Sequence, residues 1–260
     1  MWDEASAYLY KHVKIAMRWP GELAHLLVHP LTSILSIGIL AYFVITQGAP
    51  PETLLFTFVG LVTWNVFESA ERITGYGIMV DIFNGCMKHS FTGRSGIWDF
   101  IFGNGMYALI SAVTGFVIAL VTGIFLFGFN LLDGGSYLLA NLAFVFVFGV
   151  GVGLILNSLI VSRGAKIMAL VWIIPGLVMI FSGVFYPPEI LPPVVHEVSL
   201  SLPATHSLVS VRAAFNGAFD TAFYEMVLGG IMSIAAFAIG IASFRYGIRK
   251  GKENGVITKY

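Results

Sequence analysis

Residues 137–161 read YLLANLAFVFVFGVGVGLILNSLIV, and no charged side chain interrupts them. At 1.5 Å per residue a helix of this length crosses the ~30 Å hydrocarbon core of a bilayer. Its apolar residues do not alternate with polar ones, as barrel strands would, so its backbone must be satisfied within a helix. Five further stretches are long and predominantly apolar: Val28–Thr46, Thr53–Ile73, Ile97–Phe127, Ile167–Tyr186 and Ala222–Phe244. The chain as a whole is 57% hydrophobic and 11% charged, where soluble domains run at roughly 45–50% and roughly 25%. Such a chain lacks the polar surface to cover a core in water, so lipid is part of its solvent. The expected fold is an all-α membrane protein with six transmembrane helices.

Orientation follows from the cations. Twelve of the fourteen lysines and arginines flank one set of span ends: Lys11, Lys14, Arg18, Lys88, Arg94, Arg163, Lys166, Arg245, Arg249, Lys250, Lys252 and Lys259. Arg212 lies on the other side and Arg72 at the end of the second span. The positive-inside rule places the twelve, and with them both termini, in the cytoplasm, which requires an even number of spans. The start of the chain, with Asp3, Glu4 and Lys11, lacks the layout of a cleavable signal peptide.

Three segments are not simple spans. Residues 1–27 interleave Tyr8, Leu9, Ile15, Trp19 and Leu23 with Lys11, Lys14, Arg18 and Glu22. Their spacing predicts an amphipathic helix in the cytoplasmic interface, broken at Pro20–Gly21; the plainer alternative is a solvated arm. Residues 80–99, VDIFNGCMKHSFTGRSGIWD, read as a cytoplasmic loop with a short helix over Ile82–His89 bounded by glycine turns. Residues 187–220 form an external segment, where Pro187, Pro188, Pro192, Pro193 and Pro203 exclude one long helix. Two short amphipathic pieces, Glu189–Leu202 and Thr205–Phe215, are expected to dip into the outer leaflet and return. Residues 28–260 would then be a single six-span domain.

Several chemistries are excluded or disfavoured. There is no GxSxG or HExxH motif and no P-loop; GIRKGK at 247–252 has the wrong spacing, and Glu253 stands where Ser or Thr is needed. His196 and His206, beside Glu197, read as polar residues on a solvent-facing helix rather than zinc ligands. The single Cys86 excludes an intramolecular disulfide. A net charge of zero suggests no nucleic-acid partner. Glu68, Glu71 and Arg72 on the cytoplasmic half of the second span are costly in lipid. They read either as polar contacts at an inner gate or as a self-neutralising group that snorkels to the headgroups, with Glu68 and Arg72 four apart on one face. The scarcity of other intramembrane charge, and the absence of an inverted repeat, disfavour a secondary carrier. A lipid-metabolising membrane enzyme would need a polar cluster at one interface, and only the Glu68–Glu71–Arg72 group approaches that. The aromatic run Phe144–Phe148 reads as lipid-facing bulk or as the lining of a route for an amphipathic substrate.

Residues 181–217, FSGVFYPPEILPPVVHEVSLSLPATHSLVSVRAAFNG, resemble the signature of ABC-2-type exporter membrane subunits. The match is carried by Ser182, Gly183, Phe185, Pro187, Leu191, Pro192, Pro203, Thr205, His206 and Arg212. The stretch between spans two and three is similar to the family's cytoplasmic loop, with Asp81 and Gly85 at its acidic and glycine positions; it departs at Thr92–Gly93, where the family often has proline. The resemblance implies a permease that pairs with a second copy of itself or a paralogous permease in the cell membrane. It also implies a cognate ABC ATPase subunit, which binds ATP and Mg, so that this chain needs no cofactor of its own. Coupling would pass through Asp81, Gly85, Lys88 and Arg94. The external gate would comprise Ser182, Gly183, Pro187, Pro203, His206 and Arg212. The ends of the signature look closer to drug and lipid exporters than to polysaccharide ones, so the implied substrate is an amphipathic drug, a lipid or a lipid-linked glycan.

Overall fold

A computed structural model describes residues 2–85 and 96–255. Among them are nine α-helices and no strand: α1 (Trp2–Arg18), α2 (Pro20–Thr46), α3 (Glu52–Phe83), α4 (Ile97–Phe127), α5 (Gly135–Arg163), α6 (Leu170–Phe181), α7 (Pro193–Leu200), α8 (Pro203–Phe215) and α9 (Phe219–Glu253). Five of these, α2, α3, α4, α5 and α9, are long and apolar enough to cross a membrane.

The helix ends differ from the sequence reading in instructive places. The second helix begins at Pro20 rather than near Val28, because proline at a first helical position costs no backbone hydrogen bond. The third runs unbroken to Phe83, so Val80, Asp81 and Ile82 belong to a span-length helix and not to a separate loop helix. It stops at Asn84 and Gly85, whose φ of 65° lies in the left-handed region. The rest of the expected helix over Ile82–His89 lies outside the described residues. The stretch 167–186 forms only the twelve-residue α6. Pro175 weakens it from within, and Ser182 caps it before the left-handed turn at Gly183. The proline-rich segment 187–220 forms a short turn at Pro188–Ile190 and then α7, α8 and the start of α9.

Helix directions can be read from the glycine contacts. Gly149 of α5 lies against Phe67 and Ala70 of α3, and Gly153 against Glu71 and Thr74. The two helices therefore run parallel. On the other flank Gly240, Gly247 and Gly251 of α9 lie against Gly151, Ser158 and Val161 of α5, so α9 also runs parallel to α5. A Cβ at Gly240 would sit 2.5 Å from the Gly151 carbonyl oxygen, and one at Gly251 would sit 2.6 Å from that of Val161. Only glycine allows backbones this close, and in lipid such close packing is the main source of helix association. By the same logic α4 runs antiparallel to α3, with Gly77 beneath Asn104 and Ser69 bonded to Ser111 at 3.4 Å.

These directions give the bundle two ends. One holds α1, the C-terminal ends of α3, α5 and α9, the start of α4, and the cations Lys11, Arg163, Arg249 and Lys250; Ile78, Phe100, Leu154 and Phe244 fill its core. The opposite end holds α7 and α8 over a second core of Phe58, Leu131, Leu138 and Leu208. The Phe144–Phe148 run is not wholly lipid-facing, and its Phe146 and Val147 line an apolar groove with Ile101, Met106 and Phe237. Val145 and Phe148 are buried, Phe148 stacks on Phe67 at 5.0 Å between centroids, and Phe144 rests on Gly230.

Candidate functional site

At the basic end, the amphipathic α1 is docked rather than free. Lys11 Nζ donates to Asp81 Oδ1 at 2.8 Å, and Asp81 is buried. One residue on, His12 stacks on Tyr107 and its Nε2 lies 2.6 Å from Asn104 Oδ1. Burial pushes the His12 ring down to about 4, so it is neutral and Nε2 carries the hydrogen that Asn104 accepts. Tyr8 meets Phe100 edge-on at 5.6 Å. Asn104, wholly buried, thus joins α1 to α4 directly beneath Gly77 of α3. The start of α4 is fixed by Asp99, whose Oδ2 accepts the Gly96 backbone N–H at 2.7 Å. Asp81 and Gly85 sit at the end of this three-helix junction; Lys88 and Arg94 lie outside the described residues.

Exchanging Asp81 for alanine is expected to free α1, because it strands the Lys11 ammonium and removes a buried charged hydrogen bond worth about 1.5–3 kcal/mol. Limited trypsin digestion in detergent should then cut at Lys11 and Lys14 several times faster than in the parent, while Asp81→Glu stays near the parent rate.

Two turns deeper, Glu68, Glu71 and Arg72 are buried within the monomer, so the snorkelling reading fails. Arg72 Nε donates to Glu68 Oε1 at 3.1 Å along the helix. Glu71 is 0% exposed, beside Gly75 on the face that Val171 of α6 covers, and among the described residues neither of its oxygens has a hydrogen-bond partner. Glycines 149 and 153 bring α5 against this same turn, where Asn157 Nδ2 donates to the Thr74 carbonyl at 2.7 Å.

At the opposite end the residues expected to form an external gate divide into two groups. Arg212 of α8 reaches across the turn after α6: Nη1 donates to the Gly183 carbonyl at 2.9 Å and Nη2 to the Val184 carbonyl at 2.7 Å. Its Nη2 also approaches the Phe56 carbonyl at 3.3 Å, and its guanidinium covers the Phe56 ring 3.4 Å from the centroid. The turn presses so closely on α3 that a Cβ at Gly60 would collide with the Val184 carbonyl. Ser182 is fully buried beside it. The second group faces α9. His206 is not on a solvent-facing helix but buried; Nδ1 lies 2.7 Å from Glu225 Oε2 and Nε2 2.9 Å from the Leu200 carbonyl. Pro203 opens α8 next to Gly229. Pro187 precedes the Pro188–Ile190 turn, whose Pro188 carbonyl meets His196 Nδ1 at 2.9 Å.

A sequence profile of the ABC-2 type transporter family matches residues 6–216. The chain belongs to that family. It is an ABC-2 membrane permease, a multi-pass transport component. No curated protein matches it. The matched region takes in the α1 junction, the α3 charges and the Arg212 clamp, and it stops just before α9. Spacing alone had pointed to neither His12 nor Asn104, since their partners lie on other helices. A polar residue on an otherwise apolar stretch was the one available signal, and Asn104 qualifies as such. Among the described residues no group of three or more His, Cys, Asp or Glu is placed to hold a metal ion.

Proposed function

We propose that this permease is the pathway-forming subunit of an ATP-driven exporter, acting as a dimer with a second copy or a paralogue. Separate ATPase subunits, which bind the ATP and Mg, dock at its basic end on the cytoplasmic side. The observation that carries the reading is the α1–α3–α4 junction. A lever needs a stiff arm, and Lys11–Asp81, His12–Asn104 and the buried Tyr8–Phe100 contact tie three helices together where the chain leaves α3 and re-enters at α4. A push on residues 84–96 would therefore move α3 and α4 as one body. Lys88 and Arg94 would meet acidic groups of the ATPase.

Six crossings with both termini inside fit the helix directions. Because α5 and α9 run parallel, the chain must return along the bundle between Arg163 and Phe219. The α6 segment supports this return: Val171 lies against Gly75 and Val184 against Gly60, a stretch of α3 about 22 Å long at 1.5 Å per residue. Its helix is short, and the turns on either side complete the path. Segments α7 and α8 would then form the re-entrant external cover, held by Arg212 and by the His206–Glu225 contact. Glu68, Glu71 and Arg72 would serve as polar contacts at the inner gate. The substrate would be an amphipathic drug, a lipid or a lipid-linked glycan.

The test is co-purification from the native host. The tagged parent should bring down a Walker-motif ATPase in stoichiometric amount, and Lys88→Glu combined with Arg94→Glu should lose at least 90% of it, about 1.4 kcal/mol or more. Recovery of an intact oligomer without any ATPase, with transport by the isolated protein, would instead establish a secondary carrier.

A further inference from the structure

A groove of about 590 Å³ runs between α5 and α9 at their basic ends. That volume falls within the roughly 300–1,000 Å³ of small-molecule sites. Two rows of side chains line it, each at helical spacing. Ile155, Leu159 and Ser162 come from α5, ending in Arg163; Ala242, Tyr246 and Lys250 come from α9 at every fourth position, and Asn254, which caps its end, follows in the same row. Both rows change character in the same direction because the helices are parallel. They begin apolar, pass through the Tyr246 hydroxyl level, and end in two cations and the Asn254 amide. The groove floor is the glycine seam itself: Ser158 spends its hydroxyl on the Ser243 carbonyl at 2.5 Å, and Gly247 adds no side chain.

We propose that this groove binds an anionic phospholipid, with its acyl chain along Ile155, Leu159 and Ala242 and its phosphate between Arg163 and Lys250. The apolar-to-cationic gradient runs along two helices of membrane-crossing length, so the cations lie where lipid phosphates lie. One carboxylate competes. Glu253 accepts from Lys250 at 3.4 Å, but it is solvated and also accepts from Arg249 at 3.1 Å, so Lys250 can turn to a phosphate at little cost. Among the described residues that line the groove, Arg163 has no acidic neighbour. A soluble phosphate ester would use the two cations and leave the apolar half empty. The site is separate from the α1 junction, and the inference stands whether or not the chain is driven by an ATPase.

The experiment is native mass spectrometry of the purified full chain, titrated with phosphatidylglycerol or phosphatidylcholine. Preferential retention of phosphatidylglycerol is expected. Each cation near a lipid surface contributes about 1 kcal/mol, so Arg163→Gln and Lys250→Gln should each weaken binding about five-fold, and together about twenty-five-fold. Both residues are solvent-accessible, so these changes leave the core intact. Ala242→Trp, which fills the apolar half and keeps every charge, should abolish the preference as well. The proposal is overturned if the parent does not discriminate between the two lipids, or if the double variant or Ala242→Trp still discriminates. It is also overturned if glycerol phosphate displaces the lipid as effectively as more phosphatidylglycerol does, which would identify a soluble ligand.

Discussion

Replacing Arg212 with alanine is expected to destabilise the permease by about 3 kcal/mol and to detach the turn after α6 from the head of α3. The size follows from what is left behind. Arg212 is the donor to the Gly183 and Val184 carbonyls, which sit in a turn and not in a helix ladder. Removing it takes the guanidinium donors from both, and it also uncovers the Phe56 ring. Lysine keeps the charge but lacks the fork, so Arg212→Lys should recover only part of the loss. Gly60→Ala attacks the same interface from the α3 side through its collision with the Val184 carbonyl, and should mimic Arg212→Ala. Thermal unfolding in detergent measures the loss, and a cysteine pair placed at Phe56 and Val184 reports the detachment. Unchanged melting of both variants would refute the clamp.

The second large effect is expected in the α5–α9 seam. Gly240→Leu puts a branched side chain where even a Cβ lies 2.5 Å from a backbone carbonyl, and overpacking of this kind costs about 3 kcal/mol or more. Because α9 has more of its packing against α5 than against any other element, the helix should come away as a unit. Gly105→Ala is the control: a Cβ there meets nothing within 4 Å, so it should be neutral or stabilising by up to about 1 kcal/mol. If the two substitutions have equal effects on thermal unfolding and on detergent-resistant compactness, the seam does not hold the bundle.

How much of this was legible depended on how local the cause was. The long spans were legible because sustained apolar length is a property of consecutive residues. The end of α3 was not, because residues 80–99 read as a separate glycine-bounded loop; packing of Gly77 under Asn104 and the Lys11–Asp81 contact join the last turns of α3 to other helices. Span five was read as one continuous run because its hydropathy is continuous. Pro175 and the left-handed Gly183 shorten the helix without making the run less apolar. Glu68–Arg72 was foreseen because both lie on one helix turn. Lys11–Asp81, Arg212–Gly183 and His206–Glu225 join separate elements, and nothing in their local spacing announces them. The polarity of His206 was visible, but its burial was decided by Glu225 arriving from α9.

The alternating glycines of α5 also set an order of assembly. Gly149 and Gly153 can be covered as soon as α3 and α5 are both in the bilayer, whereas the cleft over Gly151 stays open until the last helix of the chain has been made. During synthesis α5 therefore presents an uncovered backbone strip to lipid for as long as residues 164–218 take to insert. A chain stopped short of α9 would keep that strip open to lipid.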